Sequence, residues 1–188
     1  MSDSSQDTGL SARRIVFGVT IGVWLALDLV SKAWLFALLE TPESPEPGGP
    51  HGRAIWVLDG LFRLSAHVNS GAAFGMGRDN PLAVYGLSVV LLPILLAMAW
   101  RDREKGAPLW ALGMVVGGAL GNLYDRTFET GVRDFFDIVK PWTPPGTDYE
   151  TLWPVFNVAD IGIVVGMGVY FLWVMLHSPK SNPDDSAS

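Results

Sequence analysis

Leu82-Ala-Val-Tyr-Gly-Leu-Ser-Val-Val-Leu-Leu-Pro-Ile-Leu-Leu-Ala-Met-Ala-Trp100 runs without one charge. The hydrocarbon core of a bilayer is about 30 Å thick and a helix rises about 1.5 Å per residue, so a spanning helix needs roughly 20 apolar residues. This stretch meets that length, and three others approach it: Ile15 to Leu39, about Ala107 to Tyr124, and about Val158 to Leu176. The reading is a membrane all-α protein, a four-helix transmembrane bundle forming one domain over residues 1–188. The first stretch is too long for the apolar core of a secretory signal, which is about 7–15 residues. It also contains Asp28 and Lys32, so it is read as a retained span.

Composition agrees. Of 188 residues 49% are hydrophobic and only 17% charged, and the mean hydropathy is +0.28, which leaves few charges to cover a water-exposed surface. There is no cysteine, which removes disulfides, thiolate metal sites and thiol nucleophiles. A net charge of −6, with no Lys/Arg block longer than a pair, gives no footprint for a polyanion, so nucleic acid is excluded as a partner. Both ends are polar, and residues 1–14 and 177–188 are expected to be disordered tails. The connection Arg101 to Gly106 carries Arg101, Arg103 and Lys105, while the other two are long and net acidic. The positive-inside bias therefore puts this loop and both termini in the cytoplasm. Outside lie two longer segments, Glu40 to Pro81, with a strand pair around Ala54 to Val68, and Asp125 to Pro154.

Gly113, Gly117 and Gly121, with Gly162 and Gly166, recur at intervals of four and read as close helix packing. Ionisable residues in or beside spans are costly and mark sites by default. Asp28 and Lys32, four apart, share a helix face and read as a structural ion pair. Asp125 and Arg126 are expected at the outer interface as loop anchors. Asp134 and Asp137 flank Phe135-Phe136, apolar neighbours that would raise a carboxyl pKa. Asn157 followed by Asp160 fits a helix cap, and the same Asp160 fits catalysis; the residues alone leave the two level. Because the third and fourth helices join on the outside, Asn122, Asp125 and Asp134 are expected to face Asn157 and Asp160. Two carboxylates sharing a proton there could activate water against a peptide bond, as in aspartic proteases. His51, His67 and His177 are scattered and show no zinc spacing, so neither metal nor cofactor is expected.

Five ordered blocks carry a resemblance: Asp28-Leu-Val-Ser-Lys32, Asn69-Ser-Gly-Ala-Ala-Phe-Gly75, Gly117-Gly-Ala-Leu-Gly-Asn-Leu-Tyr-Asp-Arg126, Gly131-Val-Arg-Asp-Phe135 and Trp153-Pro-Val-Phe-Asn-Val-Ala-Asp160. Together they resemble the bacterial lipoprotein signal peptidases (signal peptidase II). The resemblance implies a membrane aspartic endopeptidase that removes the signal peptide of prolipoproteins just before a diacylglyceryl-modified cysteine. It implies Asp134 and Asp160 as the catalytic dyad. Asn69, Gly71, Asn122, Arg126 and Asn157 would hold substrate or globomycin-type inhibitors, and Asp28, Lys32 and Asp125 would be structural. It also implies an extracytoplasmic β-cradle between helices one and two, and substrate arriving laterally from membrane lipid. The setting would be the bacterial inner membrane, with the site near its outer face. The chain departs from the family pattern at Arg133, expected to reach for headgroups, at Ile161-Gly162, and in longer loops over Thr41 to Arg53 and Lys140 to Thr151. The alternative is a proton-coupled transporter using Asp28, Lys32, Asp134 and Asp160, disfavoured by the uncharged second helix and the absence of an internal repeat.

Overall fold

The structure, a computed structural model, describes residues 3–39, 54–71, 81–129, 131–142 and 150–177. Among these the chain forms helix α1 (Asp3–Leu39), strands β1 (Ala54–Leu58) and β2 (Phe62–Asn69), helices α2 (Pro81–Asp102) and α3 (Leu109–Phe128), strands β3 (Val132–Val139) and β4 (Thr151–Phe156), and helix α4 (Val158–His177). Three segments, Gly9–Leu39, Tyr85–Asp102 and Val158–His177, are long and apolar enough to cross a membrane. Ile15, Val19, Val23, Leu27, Val30 and Trp34 form an exposed stripe on one face of α1. An uncovered apolar stripe of that length suits lipid, not water. Helix α3 is not among the three segments. Asn122, Asp125 and Arg126 lower its hydropathy, and most of its length is buried against the other helices.

Glycines set the helix spacing. A Cβ on Gly113 would meet Thr20, one on Gly117 would meet Trp24, and one on Gly121 would meet Asp28. Both helices advance by four at each step, so α1 and α3 run parallel. Gly118 abuts Ala159 while Gly166 abuts Ala111, so α3 and α4 run antiparallel. Between helices in lipid such close packing replaces the missing hydrophobic drive.

The strand pair expected around Ala54 to Val68 is present, turning at Gly60, whose φ of 69° suits glycine. The cradle is larger than expected. Beta-strands β3 and β4, from the segment between α3 and α4, complete an antiparallel sheet of order β1-β2-β3-β4. The register places His67 opposite Asp134 and Asn69 opposite Val132. Leu35, Phe36 and Leu39 of α1 pack with Ala66 and Phe135 of the sheet, which seats the sheet on one end of the helices.

The tail expected over residues 1–14 is helical from Asp3 onward. Extending an existing helix avoids the cost of a new nucleus, and the Arg13 guanidinium donates to the Ala107 carbonyl oxygen. Residues 178–188, the loop at Thr41 to Arg53 and most of the loop from Lys140 to Thr151 lie outside the described residues.

A Cβ on Gly118 would stand 2.4 Å from the Ala159 carbonyl oxygen, which is rigid backbone. Gly118→Val is expected to force α3 from α4 and lower stability by about 1–3 kcal/mol, read as a lower unfolding midpoint in detergent. An unchanged midpoint would contradict the packing.

Candidate active site

The site grows from one buried cation. Asp28 and Lys32, one turn apart on α1, are both wholly inaccessible. The Lys32 ammonium donates to Asp28 Oδ2 at 2.7 Å and to Asn122 Oδ1 at 2.9 Å, and lies 3.2 Å from Asp125 Oδ2. Two hydrogen bonds and a second ion pair thus surround the ammonium, so the charge is compensated without water. Asp28 Oδ1 accepts from the Ala159 backbone N–H at 2.9 Å, which locks the first turn of α4 to α1. Asp125 does not reach the outer interface as expected. It is buried and accepts from the Arg133 backbone N–H at 2.9 Å and from Arg133 Nη2 at 2.7 Å. Arg133 correspondingly does not extend to headgroups, because its Nε and Nη2 both donate to Oδ1 of this buried carboxylate.

Hydrogen bonding then fixes the orientation of two amides. Lys32 can only donate, so Asn122 must turn Oδ1 toward it and Nδ2 away. That Nδ2 donates to Asp160 Oδ1 at 2.8 Å. Asn157 caps α4, its Oδ1 accepting from the Asp160 N–H at 3.0 Å, while the Asn157 N–H donates to Asp160 Oδ2 at 3.1 Å. This is a reciprocal capping arrangement. With Oδ1 engaged, Asn157 Nδ2 donates to Asp134 Oδ1 at 2.7 Å and to Asn122 Oδ1 at 3.1 Å. Asn69 completes the set from β2, donating from Nδ2 to Asp134 Oδ2 at 3.1 Å, with its Oδ1 accepting from the Gly71 N–H. Each carboxylate is thus held at both oxygens, and capping is part of how Asp160 is aimed.

Asp134 and Asp160 line a cavity of about 300 Å³ together with Asn69, Asn122, Arg126 and Trp153. The Arg126 guanidinium reaches the carbonyl oxygens of Asn122 and Gly71, both at 3.3 Å, and its Nε has no partner among the described residues. Burial pushes the Asp134 carboxyl up to about 7; the neighbouring Asp160 charge adds to this, and the Asn69 and Asn157 hydrogen bonds oppose it. Among the described residues no cluster of three His, Cys, Asp or Glu could hold a metal. The cavity therefore offers two adjacent carboxyls, a raised pKa, amide donors and a partly unsatisfied guanidinium.

The described site residues named from the sequence come together here, with Asp28, Lys32 and Asp125 one layer beneath. Asp137 does not join them. It is buried with Arg63, whose Nε donates to its Oδ2 at 2.7 Å. Ser65 and His67 extend that cluster, with Ser65 Oγ 3.2 Å from Asp137 Oδ2 and 3.0 Å from His67 Nε2. Strand pairing across about seventy residues brings these groups together, and spacing along the chain carries no signal of it.

Comparison with known proteins bears on what such a cavity belongs to. The family model described as signal peptidase (SPase) II matches residues 20–176. The chain belongs to this family. Signal peptidase II relatives include the lipoprotein signal peptidase of Rhodococcus jostii (strain RHA1), 35% identical, covering 82% of this chain and 69% of that one. The lipoprotein signal peptidase of Syntrophomonas wolfei subsp. wolfei (strain DSM 2245B / Goettingen) is 36% identical, over 82% and 88% of the two chains. A bacterial membrane enzyme solved by the in meso method at 2.3 Å resolution shares the fold, with a TM-score of 0.59 at 22% identity over 88% of this chain and 90% of that one. Signal peptidase II membership makes the chain a peptidase, and the transporter reading loses its footing.

Two outcomes follow from this geometry. Lys32→Met leaves Asp28 and Asp125 buried beside no ammonium, and the expected loss is about 3–5 kcal/mol, measured as reduced yield and unfolding midpoint. Near-native stability would contradict the buried-cation account. Asp134, at about 7 when folded and about 3.9 when unfolded, binds more protons in the folded state between those values. Stability should therefore fall as pH rises through that window. Comparing unfolding at about pH 5 and about pH 8, Asp134→Asn should show a shallower decline than the wild type, and equal slopes would refute the raised pKa.

Proposed function

We propose that the chain is a membrane aspartic endopeptidase that cuts the signal peptide from prolipoproteins just before the diacylglyceryl-modified cysteine, with Asp134 and Asp160 as its catalytic pair. The observation that carries this is the amide bridge. Asn122 and Asn157 hydrogen-bond each other and hold one carboxylate each at the same cavity. Relatives named lipoprotein signal peptidase support the substrate class.

The pair shares one proton, and Asp134, pushed up to about 7, holds it. Asp160 takes a proton from water as the water oxygen attacks the scissile carbonyl carbon, and Asp134 gives its proton to the carbonyl oxygen. The resulting gem-diol collapses: one of its hydroxyl protons returns to Asp134 as the carbonyl re-forms, the C–N bond breaks, and the proton on Asp160 passes to the leaving nitrogen. Asn69, Gly71, Asn122, Arg126 and Asn157 surround the reacting peptide, with the free Arg126 donors available to its carbonyl groups or to globomycin-type inhibitors. No metal or cofactor takes part in this scheme.

In this reading α3 is a fourth span, made tolerable in lipid because its polar residues face other helices. The basic turn at Arg101, Arg103 and Lys105 is cytoplasmic with both termini, which puts the dyad and sheet at the outer face of a bacterial inner membrane. A substrate anchored there by its own lipid presents its peptide bond at fixed depth.

The test is cleavage of a purified diacylglyceryl-modified prolipoprotein by the detergent-solubilised protein. Wild type should cut before the lipidated cysteine, globomycin should block it, and Asp134→Asn and Asp160→Asn should each lower the rate by at least about 10²–10⁴-fold while remaining folded. Near-native activity in either variant would remove the dyad assignment, and no cleavage by folded wild type would remove the function.

A further inference from the structure

Helix ends fray, and Asp160 sits on the first turn of α4, so its carboxylate is aimed only as firmly as that turn is held. One peptide unit in the turn, the one joining Val158 to Ala159, is gripped at both of its polar atoms by side chains of α1. Its N–H, one of the four that a helix start leaves unpaired, donates to Asp28 Oδ1 at 2.9 Å. Its carbonyl oxygen accepts from the Trp24 indole Nε1 at 3.1 Å. Trp24 and Asp28 lie one turn apart on the same face of α1. The N–H and C=O of a planar trans peptide point in opposite directions, so the two bonds oppose each other and resist both tilting and sliding of the unit. Glycines make the slot for the indole. A Cβ on Gly162 would stand 1.8 Å from Trp24 Nε1, and one on Gly117 would stand 2.9 Å from Trp24 Cβ. A carbonyl oxygen has two lone pairs, so the indole bond adds to the helix ladder instead of replacing a rung.

Asn157 and Asp160 flank the gripped unit, one on either side. The Asn157 amide holds Asp134, while Asp160 is held by the Asn122 amide and the Asn157 backbone N–H. We infer that Trp24 is a positioning residue for the peptidase reaction: its indole N–H, bonded to the Val158 carbonyl oxygen in the slot left by Gly162, fixes the turn that aims Asp160 at the cavity. The inference rests on the reading of Asp134 and Asp160 as the catalytic pair. Trp24 acts through the α4 backbone and not on the substrate, so its loss falls on the chemical step. A misplacement of about 1 Å can cost as much as about 10²-fold in rate, whereas substrate binding is left alone.

The test is steady-state cleavage of a diacylglyceryl-modified prolipoprotein by the reconstituted full-length protein, with the unfolding midpoint of each variant measured beside it. Trp24→Phe removes the donor and keeps an aromatic ring, so kcat per folded protein should fall about tenfold or more while KM stays within about twofold. Trp34→Phe, at an outward-facing indole of α1 that is 66% exposed, is the control and should move neither. Gly162→Ala should push the indole off the carbonyl and lower both kcat and the midpoint. Combining Trp24→Leu with Gly162→Ala removes that clash. The midpoint should then recover toward wild type while kcat stays low, because the donor is still missing; a side chain that merely fills space would let both recover together. Unchanged kcat in folded Trp24→Phe, a loss confined to KM, or recovery of kcat along with stability in the double variant would each overturn the positioning role and leave the peptidase reading intact. If the wild type cuts nothing, or Asp160→Asn cuts at the wild-type rate, the reading of the catalytic pair falls and the positioning role with it.

Discussion

The Lys32 ammonium is buried where water cannot reach it, hydrogen-bonded to Asp28 and Asn122 and ion-paired with Asp125. Leaving any of them unmet would cost more than an ordinary hydrogen bond returns, so those partners must stay in place. Each carries the constraint outward. Asp28 holds the backbone at the start of α4, Asp125 holds Arg133 at the start of β3, and Asn122 presents its amide to Asp160. Two carboxylates, one ammonium and one guanidinium make the cluster neutral, which lets it persist in a low-dielectric interior. The geometry of both cavity carboxylates, Asp134 and Asp160, is therefore downstream of one cation on α1.

The network requires helix backbones closer than most side chains allow. Gly121 illustrates why: a Cβ there would stand 2.2 Å from Asp28 Oδ2. That glycine makes room for a charged group, so the glycine stripe on α3 serves the polar network as well as packing. Gly118 and Gly166 draw α4 against α3 in the same way. The hydrogen bonds from Lys32 of α1 to Asn122 of α3, at 2.9 Å, and from Asn122 to Asp160 of α4, at 2.8 Å, depend on that approach.

The sheet divides two carboxylates that look alike in sequence. Asp134 and Asp137 lie three residues apart in β3 and so point to opposite faces. Asp134 meets the asparagines of the cavity, whereas Asp137 meets Arg63 and becomes a structural ion pair. The expectation of a raised carboxyl beside Phe135 and Phe136 holds for Asp134, where burial and a second negative charge act together.

Much of this was legible in the residues. Apolar runs of spanning length, uncharged in Leu82 to Trp100, mark helices because lipid offers the backbone no other partner. Asp, Asn and Lys beside such runs mark a site because their burial is costly. Those local rules located Asp28, Lys32, Asn122, Asp134, Asn157 and Asp160. They could not show that Arg133 folds onto Asp125, that Asp137 belongs to Arg63, or that β3 and β4 complete the sheet. They also left Asp160 undecided between cap and catalyst, whereas the folded chain makes its capping bonds aim the same carboxylate. Each of these depends on pairing between residues far apart in the chain, where hydrogen-bond direction and helix separation decide which donor meets which acceptor. Residue chemistry and its distance from lipid are properties of the chain itself; amide orientation, strand register and the meeting of two carboxylates exist only once the helices and sheet have packed.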